Sequence, residues 1–213
     1  MRALVIGDSG GIGGAVVADL AGRGYAVTGL SRRDGLDLTR PESIGPAVAA
    51  LSGDFEVIFV ATGALGQPEK RLSALEPAAL AAQMAVNAAG PVLLLQALTA
   101  RLPRDRRVVF AVLSARVGSI GDNHLGGWYS YRAAKAALNQ LIHTAAIELA
   151  RSHPQLVLAL LHTGTVDTGF SAGYAAHKLS PQEAAARLLT VLEGIPPAET
   201  GGFWDYSGAR VPW

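Results

Sequence analysis

Short apolar runs of strand length alternate with alanine-rich stretches of helical periodicity from one end of the chain to the other. The apolar runs predict strands at residues 3–6, 25–30, 36–38, 56–61, 107–113, 156–161 and 203–206. The periodic stretches predict helices at 13–21, 41–51, 77–102, 128–150 and 181–193. Strands that are apolar throughout and separated by helices are typical of a parallel sheet with helices on both faces. The pattern therefore predicts a doubly wound α/β fold of three layers.

Two of the predicted helices begin with recognisable capping residues. Thr39 is predicted to cap the second helix, with Pro41 in its first turn. Ser180 and Glu183 have the spacing of a capping box at the start of the last helix. In the long helix at 77–102, a bend is expected where Gly90-Pro91 interrupts it.

Length and charge narrow the class of protein. The 213 residues suit one domain spanning 1–213, because no linker divides them. A net charge of +1 leaves no basic footprint for nucleic acid or an anionic membrane. No cysteine is present, and the five histidines lack metal-ligand spacing, so neither a disulfide nor a metal is expected. The first apolar run stops at Gly7, short of a signal peptide, and a cytoplasmic location is expected.

A glycine-rich turn joins the first strand to the first helix. Glycines let the chain reverse tightly and approach a pyrophosphate, while the helix N-terminus offers N–H groups to the phosphates. The turn fits both GxxxGxG and GxxGxxG, and a merely flexible turn is the alternative interpretation. Its predicted cofactor-binding residues are Gly7, Ser9, Gly10, Gly11, Ile12 and Gly13.

The residues after the second strand bear on the choice of cofactor. Enzymes that use NAD usually place an acid here to bind the ribose hydroxyls, whereas an arginine accommodates the 2′-phosphate of NADP. Here Ser31 takes the position of the acid and Arg32 follows it. NADP(H) is therefore favoured over NAD(H), although Arg32 and Arg33 could be ordinary solvated arginines and Asp34 lies nearby.

A tyrosine and a lysine stand four residues apart on the predicted helix at 128–150. This spacing places Tyr131 and Lys135 on one helix face, where the cation favours the phenolate and suits the tyrosine to proton exchange. Tyr174 and Lys178 repeat the spacing in a glycine-punctuated segment and are interpreted as lid or surface residues. Tyr129 is expected to line the pocket.

With these residues the chain resembles the short-chain dehydrogenase/reductase family across nearly its whole length, and within it the carbonyl reductases of the C-factor and sniffer type. The resemblance rests on the glycine turn, Asp37-Leu38, Asn87 followed by Gly90, the stretch from Val117 to Tyr131, and the stretch from Gly164 to Thr168. It implies a seven-stranded NAD(P)-binding Rossmann sheet and hydride transfer between a nicotinamide and a carbonyl or alcohol.

The family also implies roles for individual residues. Tyr131 would be the acid/base, Lys135 would hold the nicotinamide ribose, and Asn87 would help to order a proton-relay water. Asp37 and Leu38 would border the adenine. Contacts to the adenosine ribose would come from Ala61, Thr62 and Gly63, and contacts to the carboxamide or phosphates from Val166 and Thr168.

The serine that polarises the substrate carbonyl departs from the family pattern. This branch usually has two serines after the fifth strand, of which the second is catalytic, whereas this chain has Ser114-Ala115. Adjacent side chains on an extended strand point to opposite faces, so Ser114 faces the wrong way unless the loop twists. Either Ser114 takes the role, Ser119 replaces it, or activity is reduced; a backbone-bonding serine is the alternative. Thr163 also stands where the family usually has proline before Gly164.

The leading hypothesis is an NADPH-dependent reductase of a small carbonyl compound that uses Tyr131 as acid/base. An NAD(P)-binding sensor or C-factor-like signalling protein with vestigial catalysis is the alternative, prompted by Ala115. A nucleotide-sugar epimerase or dehydratase is disfavoured because those enzymes carry a large C-terminal substrate domain. The two long alanine-rich helices at 77–102 and 128–150 predict a homodimer or homotetramer.

Overall fold

A parallel sheet of six strands forms the centre of the computed structural model, which describes residues 1–169 and 178–213. The strands lie in the order β2-β1-β3-β4-β5-β6, and every neighbouring pair is parallel. The elements follow one another as β1 (Arg2–Ile6), α1 (Gly11–Gly22), β2 (Ala26–Leu30), α2 (Pro41–Ala49), β3 (Val57–Val60), α3 (Pro77–Met84), a π-helical segment (Ala85–Ala89), α4 (Gly90–Thr99), β4 (Val108–Ser114), α5 (Tyr129–Leu149), β5 (Leu156–His162), α6 (Pro181–Gly194) and β6 (Gly202–Asp205).

Helices cover both faces of this sheet, as the apolar pattern predicts. Along β4, Val108, Phe110 and Val112 pack with apolar residues of α2, α4 and α5. Val109 and Ala111 point to the other face, where α1 and α6 pack. Because both faces are buried, the strands are apolar throughout rather than alternating, and the three-layer α/β prediction is confirmed.

The prediction of a seventh strand at residues 36–38 is wrong. Gly35 adopts a φ of +84° after a short 3₁₀ turn and redirects the chain. The hydroxyl of Ser43 then accepts from the Asp37 N–H at 3.0 Å and donates to the Asp37 carbonyl at 2.8 Å. A side chain therefore satisfies the backbone groups that a neighbouring strand would need, although Leu36 and Leu38 are buried as predicted.

The helix ends show one error and one success of the capping analysis. Thr39 does not cap α2, because its hydroxyl donates to Asp37 at 2.7 Å, and Arg40 occupies the cap position instead. Ser180 and Glu183 form the predicted capping box of α6, in which Ser180 Oγ accepts from the Glu183 N–H at 3.1 Å.

The long helix predicted at 77–102 is divided by a π-helical segment rather than bent at Gly90-Pro91. Pro91 lies in the first turn of α4, where its missing N–H costs little. By length and composition the run Pro77–Thr99 could cross a membrane, and 39% of its most apolar window is buried. The buried part, including Leu94 and Leu98, belongs to the core between α4 and the sheet.

The strand order creates a crevice at one edge of the sheet. β1 lies between β2 and β3, so the connections that leave these strands depart in opposite directions along the sheet. Ligands of open α/β sheets bind at such a switch point, beyond the carboxyl ends of the strands. The glycine turn follows β1 directly and lies at this edge.

Candidate active site

A cavity of about 470 Å³ opens at the carboxyl ends of the central strands. It joins the glycine turn to the tyrosine and lysine of α5, which the sequence analysis treated as two separate motifs. Its walls are formed by Gly10, Gly11, Ile12, Ala61, Thr62, Gly63, Leu113, Ser114, Ala115, Arg116, Val117, Trp128, Tyr131, Lys135, His162, Thr163, Gly164, Thr165, Val166, Thr168 and Gly169.

The remaining predicted residues surround this cavity without lining it. Gly7, Ser9 and Gly13 belong to the glycine turn itself. Asn87 lies behind the cavity wall, since a Cβ on Gly63 would come within 3.1 Å of Asn87 Oδ1. The predicted cofactor residues that follow β2, outside the cavity wall, are Ser31, Arg32, Asp37 and Leu38.

Glycine is required in the turn because the backbone passes close to itself. Gly7 has a φ of +83°, which is costly for other residues. A Cβ on Gly13 would lie 2.1 Å from the Gly7 carbonyl oxygen, and one on Gly11 would lie 2.8 Å from Thr168 Cγ2. The N-cap residue of α1 is Gly10, which has no side chain to accept hydrogen bonds. The first N–H groups of the helix, at the cavity, therefore have no capping side chain.

Two buried polar atoms in this region have no hydrogen-bond partner among the described residues, namely Thr62 Oγ1 and Asp8 Oδ1. Leaving such an atom unpaired costs about 1–3 kcal/mol, so a site that carries one favours a ligand that can bond to it. Thr62 also lines the cavity, at the position where the resemblance places the adenosine ribose. The glycine cradle, the uncapped helix N-terminus and this hydroxyl together fit a dinucleotide.

The two arginines after β2 have different environments. Arg33 forms an ion pair with Asp8 of the glycine turn, whereas the exposed guanidinium of Arg32 makes no hydrogen bond or ion pair within residues 1–169 and 178–213. Its charge nevertheless contributes to the lowered pKa of Asp37. Asp34 does not compete for Arg32, because its Oδ2 accepts from the Ser31 N–H and hydroxyl, both at 2.9 Å. The Ser31 hydroxyl is thus bound to Asp34 within the turn, and of the two arginines Arg32 is the one whose guanidinium is not ion-paired.

The carboxylate of Asp37 is directed into its own turn. Hydrogen bonds from the Thr39 hydroxyl and the Thr39 N–H lower the pKa of Asp37. Leu38 packs instead against the long helix, since a Cβ on Gly90 would lie 2.5 Å from its carbonyl oxygen. The adenine contact that the resemblance implies for Asp37 and Leu38 stays a prediction.

The tyrosine and lysine of α5 lie on one buried face of the helix, as their spacing predicts. Tyr131 is 6% exposed and Lys135 is 3% exposed. Lys135 Nζ lies 5.8 Å from the centre of the Tyr131 ring and donates to the Leu113 carbonyl at 2.9 Å. Burial lowers the pKa of Lys135 to about 7, because the charged ammonium is desolvated. The lysine can therefore exchange a proton near neutral pH.

Asn87 lies in the π-helical segment and is fully buried. Its side chain binds the loop after β3: Oδ1 accepts from the Ala64 N–H at 3.2 Å, and Nδ2 donates to the Ala64 carbonyl at 2.8 Å. Nδ2 also donates to Gln83 Oε1 at 2.6 Å. Asn87 thus satisfies backbone groups of this loop and fixes the loop that carries Gly63. Its proposed role in ordering a water stays a prediction.

The orientation of Ser114 follows from strand alternation. Its hydroxyl donates to Asn139 Oδ1 of α5 at 2.6 Å and is buried. Ala115 continues in extended conformation, with φ −150° and ψ 143°, so its side chain points to the opposite face. Ser119 lies outside the cavity wall, and its hydroxyl accepts from the Asp122 N–H at 3.1 Å. Neither serine directs a free hydroxyl into the cavity.

The structure adds three residues that the sequence analysis did not select. Glu69 is buried, and its carboxylate accepts from the Ser130 hydroxyl and N–H at the start of α5. Burial would raise the pKa of Glu69, but these hydrogen bonds lower it on balance. Trp128 lines the cavity with a φ of +56° and meets the Tyr131 ring edge-on at 6.2 Å.

His162 is the third of these residues and lies at the end of β5, in the cavity wall. Burial, assisted by the charge of Arg116, lowers its pKa to about 4, so the imidazole is neutral at physiological pH. The sequence does not distinguish His162 from the other histidines, because nothing in its neighbours marks the end of a strand as a cavity wall.

Two expectations about other tyrosines have different outcomes. Tyr129 is 36% exposed and does not line the cavity, so the expectation that it would is wrong; Trp128 takes that place. Tyr174 lies outside the described residues. Its companion Lys178 makes an ion pair with Asp167 at 3.3 Å. No group of three or more metal-ligating side chains occurs in the described part of the chain.

Comparison with known proteins gives a family match, one relative over nearly the whole length and one over two thirds of the chain. The family model described as enoyl-(acyl carrier protein) reductase matches residues 7–190. The 1-hydroxy-2-glutathionyl-2-methyl-3-butene dehydrogenase of Rhodococcus sp. (strain AD45) is 28% identical over 99% of this chain and 98% of its own length. The C-signal of Myxococcus xanthus is 33% identical over 67% of this chain and 83% of its own length.

A solved structure extends the similarity to three dimensions. A short-chain dehydrogenase/reductase of Burkholderia multivorans, crystallised with bound NADP, superposes with a TM-score of 0.86 and 29% identity. The alignment covers 100% of this chain and 99% of that one. The chain is therefore similar over its whole length to a protein of the same fold that was crystallised with NADP.

The desolvated lysine predicts a specific pH dependence of stability. The unfolded chain keeps the Lys135 proton up to its ordinary pKa of 10.5, whereas the folded chain loses it above about 7. Folding therefore releases a proton in this window, and stability rises with pH. Between pH 7 and pH 9, we expect wild type to gain up to about 2 kcal/mol in unfolding free energy relative to Lys135→Met.

Urea denaturation at both pH values measures this difference. Lys70→Met is the matched control, because Lys70 is exposed, and its difference from wild type should be the same at pH 7 and pH 9. A difference for Lys135→Met that also stays constant would contradict the burial of an ionisable amine.

Proposed function

The chain belongs to the short-chain dehydrogenase/reductase family and is a nicotinamide-dependent oxidoreductase, and we propose that it interconverts a small carbonyl compound and its alcohol with NADP(H). A nicotinamide cofactor supplies or accepts the hydride when bound. The observation that carries the proposal is the single cavity that unites the glycine turn with Tyr131 and Lys135.

Each catalytic step assigned to the chain follows from these side chains. Tyr131 donates its phenolic proton to the carbonyl oxygen during reduction and takes it back during oxidation. Lys135 Nζ lies 5.8 Å from the centre of the tyrosine ring, and in its protonated form, below its pKa of about 7, its charge favours the phenolate and so eases the proton transfer. Apolar residues of the lining, including Val117 and Trp128, strengthen these charge interactions because they lower the local dielectric.

A sensor or signalling protein with vestigial catalysis is the second candidate. The specific observation in its favour is that Ala115 brings no hydroxyl to the cavity, while the hydroxyl of the neighbouring Ser114 is hydrogen-bonded to Asn139. Ser119 lies outside the cavity wall. The similarity to a protein named C-signal gives it further support. Tight binding of NADPH without turnover of any compound in a broad carbonyl panel would favour this candidate over the reductase.

Replacement of the proposed acid/base tests the leading proposal. Tyr131→Phe should lower kcat about 100-fold or more, because positioned acid–base groups contribute roughly 10²–10⁴ to a rate. NADPH consumption with an accepted ketone or aldehyde is the measurement. Tyr129→Phe is the matched control two residues earlier on the same helix, where the exposed phenol lies outside the cavity and wild-type turnover is expected. Full turnover by Tyr131→Phe would refute the assignment.

Preference for NADP(H) over NAD(H) is supported by the difference between the two arginines. Arg32 is exposed and unpaired in the described structure, at the end of β2 where a 2′-phosphate would lie, while Arg33 neutralises Asp8 in the glycine turn. A guanidinium offers a phosphate two parallel hydrogen bonds. We expect Arg32→Gln to weaken NADPH binding about tenfold or more and to leave NADH binding unchanged.

Arg33→Gln distinguishes this role from a general electrostatic effect. It leaves the Asp8 carboxylate without its counter-ion beside the phosphate-binding turn, so it should weaken NADPH and NADH alike. Fluorescence titration of both cofactors measures the two patterns. Equal losses of both cofactors in Arg32→Gln would contradict the proposed specificity.

Association into a homodimer or homotetramer is proposed through the two long helical runs. Met84, Leu141 and Ile147 are exposed apolar side chains on these runs, and a second copy would bury them. A dimeric or tetrameric mass is expected in light scattering at micromolar concentration, and a monomeric mass would contradict the proposal.

A further inference from the structure

The cavity lacks a hydroxyl at the position where the family has its catalytic serine. As hydride adds to a carbonyl carbon, negative charge develops on the oxygen, and positioned hydrogen-bond donors lower the barrier. Tyr131 supplies one donor under the proposed function. A second donor from the end of β4 is missing, because Ala115 faces the cavity and the Ser114 hydroxyl is bound to Asn139.

The neighbouring strand carries a hydroxyl at the matching position. β4 and β5 are parallel, and their register pairs Ser114 with His162 as the last rung. Ala115 and Thr163 are the next residues of the two chains, one step beyond this last pair. Side chains in register on neighbouring strands lie on the same face, about 4.8 Å apart in the hydrogen-bonding direction. Both residues line the cavity, so the face that lacks a hydroxyl on β4 has one beside it on β5.

The Thr163 hydroxyl is available for a ligand. It is half-buried and donates to the carbonyl of the adjacent Gly164 at 2.9 Å. A hydroxyl has one proton and two lone pairs, and its proton rotates to the better acceptor. An oxygen that gains negative charge is a stronger acceptor than a backbone carbonyl, so the proton can turn to a substrate without breaking an element of the fold.

Three other polar groups of the cavity, His162, Thr62 and Thr168, are less suited to this position. His162 is the register partner of Ser114 and shares its face rather than that of Ala115. Thr62 lies beside the glycine turn, since a Cβ on Gly7 would be 3.1 Å from its Cγ2. Thr168 also packs against that turn, close to Gly11. These two threonines are therefore at the cofactor end of the cavity.

We propose that the Thr163 hydroxyl donates a hydrogen bond to the substrate carbonyl oxygen, and that it does from β5 what the family's serine does from the position of Ala115. The proposal rests on the proposed reductase function. In the reduction, Thr163 keeps its own proton and stabilises the charge on the oxygen, while the proton that is transferred comes from Tyr131.

Removal, conservation and relocation of the hydroxyl test this assignment. Thr163→Val removes the hydroxyl and keeps the branched shape, Thr163→Ser keeps the hydroxyl, and Thr163→Val combined with Ala115→Ser moves it one strand across. Steady-state kinetics with one accepted carbonyl compound give kcat and KM for each variant. NADPH binding by fluorescence and the thermal midpoint show whether fold and cofactor site are retained.

Thr163→Val should lower kcat about 10- to 100-fold with little change in KM or NADPH binding, because the lost bond strengthens in the transition state. Thr163→Ser should stay within about threefold of wild type, and the double variant should recover about tenfold over Thr163→Val. A loss that the relocated hydroxyl restores cannot come from general damage to the fold.

Other outcomes overturn the assignment in distinguishable ways. Thr163→Val with wild-type kcat, Thr163→Ser as slow as Thr163→Val, or a double variant without recovery would each refute the role of Thr163 and leave the reductase function intact. Absence of carbonyl turnover in the wild type itself, with NADPH bound, would refute the reductase function and the Thr163 proposal together.

Discussion

The hydrogen bond between Lys135 Nζ and the Leu113 carbonyl determines the arrangement of the whole site. An ammonium buried to 3% exposure costs several kcal/mol unless a fixed acceptor receives it, and the end of β4 provides that acceptor at 2.9 Å. The bond fixes where α5 lies along the sheet and therefore where Tyr131 points. It also requires Gly118 in the connecting loop, because a Cβ there would lie 2.7 Å from Lys135 Cβ.

Interactions between residues close together in the chain are predictable from the sequence, whereas interactions between distant residues are not. The pairing of Tyr131 with Lys135 and the capping box of Ser180 depend on neighbours within four residues, and both were predictable. The cap that Glu69 provides for α5 joins residues 61 positions apart and leaves no local pattern. Residues 36–38 were misassigned because the hydroxyl of Ser43 competes successfully for the backbone, which apolar patterning does not register.

The surroundings of Ser114 show how local rules and strand pairing combine. Alternation along an extended chain correctly indicated that Ser114 and Ala115 face opposite sides. The sequence also shows that Thr163 departs from the family pattern, but it gives no sign that this departure is connected with Ala115. The register of β4 with β5 ends at Ser114 and His162, so the two departures follow directly after paired residues, and both line one cavity. Register between distant strands is set by packing rather than by either segment alone.

The energetic cost of Lys135 bears on the choice between a reductase and a vestigial cofactor-binding protein. Binding a dinucleotide requires the glycine turn, the N-terminus of α1 and a polar group near the ribose. An exposed cation would be sufficient as that polar group. The chain instead buries an amine with a pKa of about 7 within 5.8 Å of the Tyr131 ring centre. Desolvation of this kind weakens the fold, and it benefits a protein that must move a proton at neutral pH. The burial of Lys135 therefore favours a reductase over a protein that only binds the cofactor.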